Sequence, residues 1–595
     1  MRRFVLLASF FLFVACEPDQ TAPTAPHIQA RPASLAANDD GPPTSFNFGP
    51  DTYTKGVYTG TGSRRLDCVS TTQGGRQCNG FLASSVDGTF LDVRLDLPPR
   101  PGPFPLIALV HGYAGSKTSS GDIASRLLGD RYAVLRYSTR GFGKSWGQVN
   151  LADINVELGD LQSMIAQVVD EPSYGLNPDA VAIAGASYGG GHSWLALLRP
   201  TFATPRKNTV RIRAVVPIAP WTDLFYALLP NGRPNNSIDG IGGLKLSYVN
   251  GLYASGIRED PERPYPNYPS YLVSWHLLLN LAEPNSADAT WKHIEDALAG
   301  GRSIWWQQDF WARVAQNRVP VFQVQGFTDD LFPLPEAKRM LLALQTVAPD
   351  YPITSYFGDL GHPRARNQVA ETDYVLGLIE PWLAYYLKGV GTAPTPMIYA
   401  SRTDEAFNPN HVLQIADWSQ LATGSVTQEW AGTPTQLVNP VTFAGSGVFW
   451  DPFVNYDGDP LKPYLAVPPA SDSVPGNVFS YVFTPTSAFT VAGQPVVSLD
   501  AFVVGHRVQL DVRLIDVGDG TERLITRGTL TLDAGVSADV GARQIEIPTY
   551  GNFWLVPAGH TVRLEITNVD SPYITPSREP STTTINSVTL RIPTR

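Results

Sequence analysis

Basic residues, and charged residues in general, are scarce in this chain of 595 residues. Lys and Arg number 44 against 54 Asp and Glu, which gives a formal net charge of −10. A general nucleic-acid binder is therefore not expected, because it would need a basic face. Charged residues make up 16% of the chain, against about 25% in typical globular proteins. Apolar residues reach 43%, enough for large cores, so a wholly disordered chain is excluded.

A long hydrophobic run is lacking as well. The apolar run at residues 4–14 is too short for a membrane-spanning helix, which needs about 20 residues. It follows two arginines and ends shortly before Cys16, an order that resembles a bacterial lipoprotein signal. We expect residues 1–15 to be a signal peptide and Cys16 to carry lipid, which would anchor an exported protein to the membrane, facing the periplasm or the cell exterior. An ordinary signal peptide is the alternative.

Cysteine is rare, with three residues in all. If Cys16 carries lipid, Cys68 and Cys78 remain as a pair, and export would permit a disulfide between them. Two free thiols are the alternative. The spacing of these residues does not fit a zinc site, and no H-E-x-x-H pattern occurs. We expect no metal and no cofactor.

The rest of the chain divides into parts with different patterns. Residues 16–50 have few apolar anchors, which is typical of a flexible tether. Residues 51–392 alternate apolar strands with helices, which predicts a parallel sheet covered on both faces. The predicted strands are 81–84, 89–97, 104–110, 132–137, 180–184, 213–219, 319–325 and 353–357, and the predicted helices are 156–169, 187–198 and 373–388.

Two segments depart from this alternation. Residues 225–315 are rich in Trp, Tyr and Pro and are predicted to form a helical cap insertion over a site; a larger core is the alternative. In residues 393–595 the helical signal disappears. Val508, Leu510 and Val512 alternate with polar residues, which predicts strands with one buried and one solvated face. A C-terminal β-sandwich of the jelly-roll kind is expected.

The G-x-S-x-G motif occurs twice, as G-K-S-W-G at 143–147 and as G-A-S-Y-G at 185–189. A nucleophilic serine of this type needs a preceding strand, a sharp turn and a following helix. Ser187 has the apolar run 181–184 before it and a helix-like segment after it, whereas Ser145 follows a glycine-rich loop. We therefore predict that Ser187 is the nucleophile.

A serine hydroxyl needs a base that accepts its proton and a carboxylate that orients the base. His362 follows the predicted strand 353–357, and Asp329 follows the strand 319–325. The chain order Ser, Asp, His is that of α/β-hydrolases, so we predict a Ser187–His362–Asp329 triad. Asp330 is the rival for the acid, and a structural loop histidine is the alternative for His362.

The oxyanion of an acyl-transfer reaction needs two hydrogen-bond donors. One is expected from the backbone N–H of Tyr188, directly after the nucleophile. The other is expected from the loop after the strand 104–110, where Tyr113 could donate through its N–H or its hydroxyl. The alternative for Tyr113 is an aromatic side chain that lines the pocket.

These motifs together resemble the X-Pro dipeptidyl-peptidase and cocaine-esterase hydrolases (the S15 type) over most of the mature chain. The matching segments are D-G-T at 87–89, S-T-R-G-F-G-K-S at 138–145, Ser187-Tyr188 with Trp194, and P-I-A-P-W-T-D at 217–223. The resemblance implies an α/β-hydrolase domain with a cap and a C-terminal, galactose-binding-like jelly roll. It also implies cleavage of ester or amide bonds through an acyl-enzyme, and in cocaine-esterase-like members a tyrosine hydroxyl assists the oxyanion hole.

The choice of substrate stays open between two enzyme activities. A dipeptidyl-peptidase must anchor a free amino terminus with carboxylates, and the acid loop offers only Asp330 beyond the triad. Glu259, Asp260 and Glu262 of the insertion could supply others. A general esterase or acyl hydrolase is favoured over an Xaa-Pro dipeptidyl-peptidase. A non-catalytic surface binding protein on a hydrolase scaffold is the alternative of another class.

Overall fold

A computed structural model describes residues 66–99, 101–230, 242–257, 265–284, 288–439, 478–570 and 573–595. The expected signal peptide, the tether and Cys16 lie outside these residues. The three insertion carboxylates at positions 259, 260 and 262 also lie outside them.

A twelve-stranded mixed sheet forms the first part of the described chain. Its central strands run parallel in the order β5-β4-β6-β8-β9-β10-β11, and β1, β2, β3 and β12 join antiparallel at the two edges. The twelfth strand, β7, pairs antiparallel with β8. The strands are β1 (Asp67–Ser70), β2 (Arg76–Ala83), β3 (Phe90–Leu97), β4 (Phe104–Val110), β5 (Ala133–Tyr137), β6 (Leu176–Ala186), β7 (Thr201–Ala203), β8 (Thr209–Ile218), β9 (Val321–Gly326), β10 (Ile353–Gly358), β11 (Ile398–Ala400) and β12 (Leu413–Ile415).

Helices occupy the crossovers between the parallel strands, as the alternating pattern predicts. Five of them, α4 to α8, lie in the long connection between β8 and β9, where the insertion is expected. The helices are α1 (Gly121–Gly129), α2 (Glu157–Val169), α3 (Tyr188–Leu195), α4 (Leu224–Leu228), α5 (Leu246–Gly256), α6 (Ser270–Leu281), α7 (Ala289–Arg302), α8 (Gln308–Arg313), α9 (Pro335–Val347) and α10 (Val369–Lys388). None of the helices in the described ranges is long and apolar enough to cross a membrane.

The C-terminal part of the described chain is all β, with antiparallel pairing throughout. One sheet has six strands, and the other has four in the order β14-β21-β17-β18. A second hydrophobic core, separate from that of the α/β part, fills the space between them. The strands are β13 (Gly424–Asn439), β14 (Val478–Phe483), β15 (Phe489–Gly493), β16 (Val496–Val504), β17 (Arg507–Gly518), β18 (Thr521–Asp533), β19 (Gly541–Pro548), β20 (Asn552–Val556), β21 (Thr561–Thr567) and β22 (Ser581–Thr594).

The prediction of a solvated face on β17 is wrong. Gln509, Asp511 and Arg513, the polar residues of the alternating pattern, are 3%, 1% and 1% exposed. The face that they share is covered by the α/β part: a Cβ built on Gly243 would lie 2.8 Å from Gln509 Oε1. A period of two separates the faces of a strand but does not say what covers the polar face.

Cys68 and Cys78 lie directly opposite each other across the β1–β2 hairpin. Their side chains form a disulfide in the structure.

Candidate active site

Ser187 lies at the sharp turn between the central strand β6 and helix α3. Its backbone is left-handed, with φ of 54°, a conformation that is unfavourable for any residue other than glycine and is typical of a nucleophile elbow. A Cβ on Gly189 would lie 2.1 Å from the carbonyl oxygen of Val110. The G-x-S-x-G spacing is thus required here, because only glycine lets the helix approach β4 this closely.

His362 and Asp329 extend from the loops after β10 and β9 and meet behind the serine. Ser187 Oγ lies 3.0 Å from His362 Nε2, and His362 Nδ1 lies 2.7 Å from Asp329 Oδ2. Asp329 also accepts hydrogen bonds from the backbone N–H groups of Leu331 and His362. The structure therefore brings the three predicted residues together in the order that a hydrolase triad requires.

Asp330, the rival acid, points away from His362. It pairs with Arg364 at 3.1 Å between Oδ1 and Nε. Ser145, the rival nucleophile, is fully buried, donates to the carbonyl of Ser138 and accepts from the N–H of Asp92. Both residues thus have structural partners outside the triad.

His362 lies in an environment from which water is largely excluded. His362 is 4% exposed, and the edge of its ring packs against Phe332 with the ring centroids 4.9 Å apart. Burial, together with the positive charge of Lys245, lowers the pKa of His362 well below its ordinary value. Lys245 itself donates to the carbonyl of Leu331 at 2.7 Å. A neutral His362 is the form that can accept the serine proton.

A buried polar cluster lies behind Ser187 and holds the Tyr188 side chain. The Tyr188 hydroxyl donates to Glu157 Oε2 at 2.7 Å and accepts from the N–H of Ala152 at 2.8 Å. His192, which follows on the same helix, donates to the Tyr188 carbonyl through Nδ1 and lies 3.4 Å from Glu157 through Nε2. Anchoring of this kind keeps the Tyr188 N–H, one of the unpaired donors of the first helical turn, beside Ser187.

The loop after β4 lies against the other side of the nucleophile. A Cβ on Gly112 would contact the Ser187 Cβ at 3.8 Å, so the residue before Tyr113 lies directly beside Ser187. The Tyr113 hydroxyl donates to the Tyr268 hydroxyl at 2.9 Å, and its ring packs edge-on against Tyr188. His111 braces the loop, since its Nδ1 donates to the Gly112 carbonyl and its Nε2 accepts from the Thr139 N–H. Burial lowers the pKa of His111 to about 4, so it is neutral.

An apolar cavity of about 130 Å³ opens at Ser187. One wall is Tyr113, Trp221 and Phe332 of the α/β part, and the other is formed by helices α4 to α7. The described lining contains no Asp, Glu, Lys or Arg. Its polar groups besides Ser187 belong to tyrosines, tryptophans and His276. Within the described ranges, no cluster of His, Cys, Asp and Glu is arranged to hold a metal ion.

Comparison with known proteins fits this geometry. Residues 87–359 match the family model of X-Pro dipeptidyl-peptidases (S15 family). The predicted resemblance to the S15 hydrolases is confirmed. The S15 match spans β4 and the loop after it, Ser187 and the loop that carries Asp329, and it ends three residues before His362.

One curated relative is the quorum-quenching protein AidA of Acinetobacter baumannii. It is 34% identical over 123 residues, which are 20% of this chain and 37% of that protein. The chain thus matches little more than a third of the length of this relative.

Solved structures share the fold over nearly the whole chain. An α-amino acid ester hydrolase has a TM-score of 0.64 at 14% identity and covers 89% of this chain and 98% of its own. An aminopeptidase from a marine sediment Thaumarchaeota archaeon has a TM-score of 0.58 at 16% identity, with 91% and 98% covered. A CocE/NonD family hydrolase from Staphylococcus aureus has a TM-score of 0.55 at 12% identity, also with 91% and 98% covered. An α/β-hydrolase-like part followed by an all-β part is the shared architecture.

Several residues of the site were not found from the sequence. Lys245 contacts Leu331 in the loop that carries Asp329, and Glu157 contacts Tyr188. Both come from distant segments of the chain, and no local motif signals such contacts. His276 borders the cavity from α6.

Proposed function

We propose that the protein is a serine hydrolase that cleaves carboxylic esters through an acyl-enzyme. Ser187 is the nucleophile, His362 the general base and acid, and Asp329 the carboxylate that orients the imidazole. One observation carries this proposal. Ser187 Oγ lies 3.0 Å from His362 Nε2, and His362 Nδ1 lies 2.7 Å from Asp329 Oδ2.

The reaction follows from this alignment. Ser187 Oγ attacks the ester carbonyl carbon while its proton passes to His362 Nε2, and the backbone N–H groups of Tyr188 and Tyr113 stabilise the resulting oxyanion. The C–O bond to the alcohol breaks, and His362 returns the proton to the leaving oxygen. Water, deprotonated by His362, then attacks the carbonyl carbon of the acyl-enzyme. The bond from that carbon to Ser187 Oγ breaks, His362 returns the proton to Oγ, and the acid leaves.

The cavity favours an ester with an apolar acyl group. A free amino terminus would need a carboxylate near the reacting carbonyl, and the described lining has none. We therefore favour a general esterase over an Xaa-Pro dipeptidyl-peptidase. The S15 family match supports the peptidase alternative. In that case Glu259, Asp260 or Glu262, which lie outside the described residues, would have to bind the amino terminus of the substrate.

We assign helices α4 to α8 the role of a cap, because α4 to α7 supply one wall of the cavity. We further propose that residues 393–595 form a jelly-roll domain.

The proposed export and lipid anchor rest on Cys16. Cys16→Ser should move the protein from the detergent phase to the aqueous phase in Triton X-114 partitioning.

One comparison of substrates tests the proposed function. Hydrolysis of p-nitrophenyl butyrate and of Gly-Pro-p-nitroanilide would be measured for the wild-type protein and for Ser187→Ala. Ester turnover without Gly-Pro release, lost in the variant, supports the esterase. Efficient Gly-Pro release supports the peptidase, and no turnover of either, with no fluorophosphonate labelling, supports a binding protein.

A further inference from the structure

The loops that carry Asp329 and His362 are held from outside the α/β part. Asp330 directly follows the triad acid, and Arg364 lies two residues after the triad base. Their side chains form an ion pair at 3.1 Å in which both are 3% exposed. This pair therefore joins the two catalytic loops to each other.

Strand β18 of the C-terminal part contacts both members of this ion pair. Arg364 Nη1 donates to the carbonyls of Leu524 and Ile525 at 3.3 and 3.4 Å. Arg527 Nε lies 3.5 Å from Asp330 Oδ2. The catalytic loops thus depend on backbone groups about 160 residues away in the chain and on a side chain about 200 residues away.

Arg527 is itself firmly placed within the C-terminal part. It is 4% exposed and pairs with Asp570 at 3.3 Å, and its guanidinium lies over the Tyr573 ring at 4.4 Å. A buried guanidinium in a well-packed strand has little freedom to move. Asp330 is therefore held in place by a residue of a rigid sheet and not by a residue of a surface loop.

The backbone at Arg364 indicates that this placement matters. Arg364 has φ of 109°, a conformation that L-residues with a side chain adopt only where the surroundings enforce it. Release of its side chain would let the backbone relax, and His362 is only two residues away. Triad hydrogen bonds tolerate little displacement, since a shift of about 1 Å can cost on the order of 100-fold in rate.

We infer that Arg527 of the C-terminal part is a positioning residue for the triad, which acts through Asp330 and Arg364 to hold Asp329 and His362 in register with Ser187. The C-terminal part then contributes to turnover although it supplies no catalytic residue. This inference rests on the proposed function, because it assigns the purpose of the network to that triad.

The test compares Arg527→Gln with Arg527→Lys, which keeps the charge, and with Arg507→Gln as a matched control. Arg507 is a buried arginine of the same sheet that pairs with Glu283 at 2.9 Å, and its partners among the described residues lie outside both catalytic loops. For p-nitrophenyl butyrate, Arg527→Gln should lower kcat about 10- to 100-fold, with KM changed less than about threefold. Arg527→Lys should recover most of kcat, and Arg507→Gln should change kcat by less than about threefold.

A second measurement does not depend on turnover. The proton on His362 Nδ1, shared with Asp329, should give a downfield resonance in the ¹H NMR spectrum that is absent from His362→Gln. Arg527→Gln should shift or broaden this resonance, and Arg507→Gln should leave it unchanged. If Arg527→Gln does not fold, Asp330→Asn should show the same loss of kcat and the same spectral change.

The outcomes separate the inference from the proposed function. A folded Arg527→Gln with the wild-type kcat and resonance overturns the inference, and so does an equal effect in Arg507→Gln. If the wild-type protein does not hydrolyse the ester, or Ser187→Ala still does, the proposed function fails. The NMR comparison then still decides whether Arg527 positions His362.

Discussion

Ser187 Oγ and His362 Nε2 lie 3.0 Å apart, although 174 residues separate them in the chain. The parallel order of the sheet explains this contact. β6 and β10 both end at the carboxyl edge, where the loops of an α/β sheet meet, and β8 and β9 between them set the distance that the side chains must span.

Ser187→Ala removes the nucleophile and should lower kcat for p-nitrophenyl butyrate by about 10⁴- to 10⁶-fold. Ser145→Ala, in the second G-x-S-x-G motif, serves as the matched control. Its hydroxyl makes two buried hydrogen bonds, so the variant should melt earlier but keep the wild-type kcat per folded molecule. Steady-state kinetics with thermal melts would check this, and loss of kcat in Ser145→Ala alone would contradict the assignment.

Gly189→Ala should prevent the elbow from forming. The added Cβ would lie 2.1 Å from the Val110 carbonyl oxygen, so helix α3 would have to move away from β4. Gly377→Ala is the control, because a Cβ there, on α10, meets nothing within 4 Å and should stabilise the helix by about 0.5–1 kcal/mol. Melting temperature and esterase activity should fall for the first variant only; a fully active Gly189→Ala would show that the packing is not required.

The activity of the protein should persist into acid solution. His362 must be neutral to accept the serine proton, and burial with the Lys245 charge lowers its pKa well below 6.5. As the pH falls, kcat/KM should therefore stay constant through pH 6.5 and decline only below it. In Lys245→Met the decline should begin at higher pH. A pH profile of kcat/KM checks this, and a wild-type decline centred at or above pH 6.5 would refute it.

The cavity predicts a dependence on acyl length. Each methylene that enters an apolar site contributes about 0.8 kcal/mol, which is roughly fourfold in kcat/KM. From p-nitrophenyl acetate to butyrate, kcat/KM should rise by this factor for each added methylene. For longer acyl groups kcat/KM should rise no further, because the cavity has a volume of only about 130 Å³. A strong preference for esters of α-amino acids would indicate instead a carboxylate that anchors the amine.

Much of the α/β part could be predicted from the sequence because its signals are local. The apolar run 104–110 coincides with β4, and the helix predicted at 373–388 is the last four-fifths of α10, which begins at Val369 and is followed by Gly389 with φ of 66°. The place of Ser187 between a strand and a helix could be predicted because strand, turn and helix are adjacent in the chain. The polar residues of β17 were misassigned to solvent because the covering surface comes from a distant segment.

The same reason explains what was missed at the site. Asp329 and Asp330 are neighbours with identical side chains, and only the fold shows that the first faces His362 and the second faces Arg364. Lys245, Glu157 and Arg527 act across long separations in the chain. A single sequence carries no pattern for such contacts.

The central claim is that Ser187 is an activated nucleophile. The most direct measurement is intact-mass analysis with peptide mapping after reaction with a fluorophosphonate. We predict one adduct per chain, located on Ser187. It should not form on protein that is denatured before the reaction, nor on Ser187→Ala. No adduct on the folded wild-type protein, or an adduct on Ser145 or another residue, would contradict the account.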